Sequence, residues 1–161
     1  MVPLNACEFV SYALNMISTQ SVSDVRNELE TLLQYGHCKG NYGSFYNVYG
    51  FFKQGYVIKI IKEDNLPETY YHKSPPKTSL IAPFFLYPIH VTKKESIIIQ
   101  PLADTRFKRQ TAAFRMLLHK IRDRLKEGQL IEDVWPDAHE GNVGLYNKQP
   151  VIIDFSHDFL E

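Results

Sequence analysis

Near the end of the sequence, Asp137, Asn142 and Asp154 carry the side chains best suited to chemistry, all within WPDAHEGNVGLYNKQPVIIDFSHD (Trp135–Asp158). Asp137 and Asn142 bracket a short loop, and Asp154 closes the apolar run Val151-Ile152-Ile153. A loop fixed before a β-hairpin projects Asp137 and Asn142 to one side, and the returning strand brings Asp154 back beside them. Phosphoryl transfer uses such a trio. One carboxylate orients the attacking hydroxyl and accepts its proton, while an amide oxygen and a second carboxylate hold Mg2+. Magnesium prefers hard oxygen ligands and keeps water and phosphate at its other positions, so two protein ligands suffice. The competing reading of the same residues is a terminal hairpin with polar decoration.

The front of the chain supplies what the trio lacks. CKGNYGSFYNVY holds Gly40 and Gly43, with Tyr42 just before the second glycine. Glycine lets backbone amides approach a phosphate with no Cβ in the way, although two glycines also suit a plain hairpin turn. Lys59 follows inside the apolar run YVIKI. Such a strand resists a central lysine unless the ammonium has a task, and pairing with phosphate oxygens is one. A lysine that snorkels from an edge strand is the alternative.

Glycine turn, strand lysine, Asp-x4-Asn and Asp-Phe, in that order, resemble the protein-kinase superfamily. The family's G-x-G-x-x-G-x-V, V-A-I-K, H-R-D-x-x-x-x-N and D-F-G correspond to Cys38–Phe45, Val57-Ile58-Lys59, Trp135-Pro136-Asp137 through Asn142, and Asp154-Phe155-Ser156. The resemblance covers about residues 36–158. It implies ATP and Mg2+ as cofactors. Lys59 would grip the α/β-phosphates, Asp137 would be the catalytic aspartate, and Asn142 and Asp154 would hold the metal. Gly40, Asn41, Tyr42 and Gly43 would form the phosphate loop. Ile97–Asp104, through Gln100 and Leu102, would lie beside adenine. The Asp-x-His-x-Gly-Asn loop and the short sheet-rich half are similar to compact kinases of lytic bacteriophages.

The pattern departs from the family in several places. Cys38 replaces the first glycine of the loop, and Ser156 replaces the last glycine of D-F-G. Trp135-Pro136 stands where His-Arg is usual, and the sequence stops soon after Asp154, so the peptide-binding platform is expected to be missing. Glu68, Glu28 and Glu30 are the candidates to pair with Lys59. His139 stands near the position where protein kinases carry lysine, and small-molecule phosphotransferases of the aminoglycoside and choline type look like Asp-x-His-x-x-Asn here. His139 therefore joins Asp137 and Lys59 among the candidate catalytic residues, either touching the transferred phosphate or holding the loop. The resemblance implies transfer to serine or threonine of a protein, which could be a host protein of a phage. The alternatives are a kinase-derived module that binds a partner without catalysis, and a small-molecule kinase.

The rest of the sequence sets the frame. A chain of 161 residues is most simply one domain, with residues 1–35 as N-terminal helices, 36–101 as a sheet-rich nucleotide lobe and 102–161 as a reduced helical lobe. Lys plus Arg and Asp plus Glu are both 18, so the charge balance argues against nucleic acid and against an anionic membrane as partners. The basic run at residues 106–109 reads as a solvated helix start. Cys7 and Cys38 show neither metal spacing nor a disulfide framework, which fits a reducing, cytoplasmic compartment (the host cytoplasm for a viral protein).

Periodicity places the elements. Residues 5–17 form one short helix, and Val22, Val25, Leu29, Leu32 and Leu33 mark a second, capped by Ser23 or Asp24 and ended by Gly36. FYNVYGFF and GYVIKIIK are strands about a turn at residues 53–55, and FFLYPIHV and ESIIIQPL are two more. Phe114, Leu117, Leu118, Ile121 and Leu125 make one stripe of a third helix, followed by terminal strands at 143–146 and 150–154. The expected class is α+β: N-terminal helices, a five-stranded antiparallel sheet, and a reduced kinase-like C-lobe carrying the loop and hairpin.

Overall fold

The computed structural model describes residues 4–42, 46–62, 74–92 and 96–154, apart from the side chains of Phe107 and Arg109. The fold is α+β, with four α-helices and a five-stranded antiparallel sheet among the described residues. The chain divides into two compact units, one from 1–71 and 88–102, the other from 72–87 and 103–161.

The first unit begins with helix α1 (Ala6–Thr19). Its start is fixed by a reciprocal cap: the Glu8 N–H donates to Asn5 Oδ1 at 2.9 Å and the Asn5 N–H donates to Glu8 Oε2 at 3.0 Å. Helix α2 (Val22–Gln34) starts two or three residues earlier than a cap at Ser23 or Asp24 implies, because Ser21 is the cap and its Oγ accepts from the Asp24 N–H at 3.1 Å. Gly36, at φ +75°, ends it as the spacing predicts, with the His37 N–H returning to the Leu32 carbonyl at 3.0 Å.

Strands β1 (Lys39–Tyr42), β2 (Tyr46–Phe51), β3 (Tyr56–Ile61), β4 (His90–Val91) and β5 (Ile97–Pro101) form the sheet, in the order β1-β2-β3-β5-β4. Directly opposed residues share a face of an antiparallel sheet. Tyr49, Ile58 and Ile99 make one such row, and with Phe51, Ile60 and Ile97 they pack on Phe9, Met16, Val25 and Leu29 of the two helices. Alternation therefore sends Asn41, Val48, Lys59 and Ile98, which also form a row, to the opposite face.

One expected strand is much shorter than its composition implies. Of residues 84–91, only His90–Val91 joins the sheet. A 3-10 turn occupies Ala82–Phe84, and Phe85 bridges to Ile152 instead. Pro88 lies in this stretch and has no N–H to give to a ladder, so a continuous strand would lose a bond there.

The second unit is built on α3 (Phe107–Arg122). Its buried Ala113, Leu117 and Ile121 meet Trp135, Val143 and Ile152, with Phe114, Leu118 and Leu125 packed alongside. The helix ends at Arg122, before the end of its apolar stripe; His119, Lys120 and Arg122 in the last turn complement the helix dipole. Leu125 still reaches the core from the turn that follows. After the one-turn helix α4 (Ile131–Val134), strands β6 (Val143–Tyr146) and β7 (Gln149–Ile152) make the expected terminal hairpin. Asn147 and Lys148 turn it at φ 50° and 65°, the left-handed pair that a tight two-residue hairpin demands. No helix among the described residues is long and apolar enough to cross a membrane.

Candidate functional site

Trp135 is fully buried in the core of the second unit, its ring edge-on to Phe114 at 6.3 Å between centroids. That anchor fixes where the next residues emerge. Asp137 is then held by Asn142, whose Nδ2 donates to both the backbone carbonyl and Oδ2 of Asp137, each at 2.9 Å. Asn142 is buried, while the Asp137 side chain stays about half exposed. A buried amide thus points a solvent-facing carboxylate, which is what a proton acceptor for an incoming hydroxyl requires.

His139 flanks the same carboxylate. Its Nδ1 accepts from the Gly141 N–H at 3.0 Å, and its Nε2 lies 3.5 Å from Asp137 Oδ1. Asp154 is tied to this loop through its neighbour: the Ile153 N–H donates to the Asn142 carbonyl at 2.8 Å, directly after the Val143–Ile152 pair of the hairpin. The end of β7 is therefore joined to the loop by its backbone, while the side chains that meet one another there are Asp137, His139 and Asn142.

In the first unit the expected nucleotide residues split between the sheet's two faces. Asn41 and Lys59 lie on the face away from the helices, and so does Gln100, opposite Val57. Lys59 and Gln100 are only 6% and 2% exposed. Leu102, just past β5, donates its N–H to the Gly55 carbonyl at 2.9 Å. Gly40 and Tyr42 belong to the other face. A Cβ on Gly40 would come within 3.0 Å of Leu33 Cδ2, and the Tyr42 hydroxyl bonds Glu30 at 3.0 Å. Gly43, Glu68, Phe155 and Ser156 lie outside the described residues.

The glutamates of α2 are committed to tyrosines. Tyr12 donates to Glu28 at 2.5 Å, and Tyr42 and Tyr49 both donate to Glu30. Helix α2 packs on the face that carries Ile58 and Ile60, opposite to that of Lys59, so these carboxylates serve the helix–sheet junction. The sequence held no signal for this, because the partners meet only once the strands are paired. Burial first, and then the Glu30 hydrogen bond, push the Tyr49 hydroxyl well above its ordinary range. Burial, with Glu30 adding to it, pushes the Cys38 thiol up to about 11, so it stays protonated near neutrality and is no nucleophile.

No group of three or more His, Cys, Asp or Glu side chains gathers among the described residues. Asn142 uses its Nδ2 on Asp137, which leaves its Oδ1 as the hard oxygen it could offer to a magnesium ion. Gly141, the glycine of the Asp-x-His-x-Gly-Asn loop, is closely approached: a Cβ there would lie 2.8 Å from His139 Cε1. Its signal is the glycine two places after a histidine that bonds its amide. Comparison with family models, curated proteins and solved structures returned no match.

Proposed function

We propose that this protein is a kinase-like phosphotransferase that uses ATP and Mg2+, with serine or threonine of a protein as the acceptor. One observation carries the reading. Apart from tyrosine, tryptophan and cysteine, the polar or charged residues buried among the described ones are Lys59, Gln100 and Asn142. These are the positions that the resemblance assigns to phosphate, adenine and metal. Lysine, glutamine and asparagine are mostly exposed in folded proteins, so the coincidence of these three buried residues with the motif supports a functional origin. The placement of Val57-Ile58-Lys59 on the third strand, the context that this lysine motif requires, supports it further.

Each residue then has a role. Lys59 pairs with phosphate oxygens, and Asp137, aimed by Asn142, orients the acceptor hydroxyl and takes its proton. Asn142 Oδ1 and the Asp154 carboxylate would hold magnesium, which when bound neutralises charge on the phosphates. The test is thermal denaturation with ATP and Mg2+ against ATP and EDTA, followed by labelled ATP with a cell lysate. A rise in melting temperature that needs the metal and vanishes in Asp154→Ala, with labelling lost in Asp137→Ala, is the expected result. No rise at saturating nucleotide would leave a partner-binding module as the better reading.

A further inference from the structure

His139 has two ring nitrogens, and the structure gives each a different neighbour. Nδ1 accepts the Gly141 N–H at 3.0 Å, so it carries no proton and the proton of the neutral ring sits on Nε2. Nε2 faces Asp137 Oδ1 at 3.5 Å, too long for a full hydrogen bond but close enough for a polarised N–H to attract a carboxylate. The other carboxylate oxygen, Oδ2, is held by Asn142. Gly141 makes the arrangement possible: a Cβ there would lie 2.8 Å from His139 Cε1 and 2.9 Å from Nδ1.

We infer that His139 is a positioning residue for Asp137, its ring fixed in the Nε2–H tautomer by the Gly141 amide and its Nε2–H side holding the Asp137 carboxylate against rotation. Asp137 is then held at both oxygens, by a buried amide and by an exposed imidazole. The inference rests on the proposed phosphotransfer for its catalytic consequence, and on the loop geometry alone for the placement of Asp137. The plainer role for His139 is to cap the turn at Glu140–Asn142. Asparagine separates the two, since its Oδ1 can accept the Gly141 N–H but no atom of it reaches Asp137 as Nε2 does.

The experiment is nuclear magnetic resonance on the full chain, wild type beside His139→Asn and Gly141→Ala. Imidazole 15N shifts report the tautomer, and three-bond couplings report the Asp137 χ1 rotamer. The expected result is the Nε2–H tautomer and a single Asp137 rotamer in the wild type, with rotamer averaging in both variants. His139→Asn should keep the wild-type melting temperature. In labelled-ATP assays its kcat should fall about tenfold to a hundredfold, at unchanged nucleotide KM. An Nδ1–H tautomer, or an Asp137 rotamer that His139→Asn leaves fixed, overturns the inference. A wild type that transfers no phosphate refutes the proposed activity, whereas the rotamer comparison still decides the role of His139. Should Gly141→Ala fail to fold, the asparagine variant carries the test.

Discussion

Asn142 grips Asp137 twice through a single nitrogen, at the backbone carbonyl and at Oδ2, both at 2.9 Å. The amide is buried, so neither bond is readily replaced by water. Asn142→Asp keeps the shape but puts an oxygen where the donor was, facing a carboxylate. The expected cost is about 1–3 kcal/mol, the usual loss when a buried polar group loses its partner. Urea denaturation at neutral pH measures it, and an unchanged midpoint would mean that the loop is held by something else.

Lys59 stands between Val48 and Ile98 in the sheet register and is almost fully buried. Lys59→Met matches its length without its charge. If the ammonium serves phosphate, the variant should keep its circular dichroism spectrum and lose the nucleotide-dependent rise in melting temperature. The wild-type rise should correspond to about 2.7 kcal/mol at nucleotide a hundredfold above Kd. A methionine variant that ATP and Mg2+ stabilise as strongly as the wild type would remove Lys59 from the site.

What the sequence disclosed follows from how local each signal is. Val25, Leu29 and Leu32 repeat at helical spacing, and all three are buried. A lysine within YVIKI stands out because it breaks an apolar pattern, and Asn142 because it lies five places after Asp137; both prove buried. The faces of the sheet were harder to read. Nothing local says that Gly40 backs onto Leu33 or that Tyr42 reaches Glu30, because strand pairing and helix packing decide both. Composition also misled at residues 84–91, where aromatic and branched residues imply a strand but the ladder takes only the last two.

The part-buried tyrosine–glutamate bonds predict a weakness at alkaline pH. Burial first, and then Glu28, raise the Tyr12 hydroxyl above its ordinary value, and burial with Glu30 does the same for Tyr49. Above about pH 10 the unfolded chain releases these protons while the folded chain retains them, so stability falls as pH rises. Below that pH both states hold the proton and the contribution is fully present. Each such proton steepens the loss by at most about 1.4 kcal/mol per pH unit. Tyr49→Phe should flatten the decline of urea midpoints between about pH 9 and about pH 11. An identical slope in the variant would show that Glu30 does not hold the Tyr49 proton.

Two glycines that look alike in sequence should respond differently to alanine. A Cβ on Gly144 would meet Ala103 Cβ at 2.8 Å, the Asp104 carbonyl at 3.2 Å and Thr105 Cγ2 at 3.3 Å. Backbone is involved, and Asp104 is paired with Leu145 in both directions, at 2.8 and 2.9 Å, so the segment cannot retreat without breaking that bridge. Gly40 meets only the end of the Leu33 side chain, at 3.0 Å, and a leucine can turn. Gly144→Ala should therefore cost about 1–3 kcal/mol, the range for overpacking a close contact, and Gly40→Ala distinctly less. Parallel urea titrations of the two variants decide it. Equal losses would mean that Leu33 is as rigidly held as the Asp104 backbone, and that the glycine at position 40 is required by the packing of α2 rather than by any phosphate.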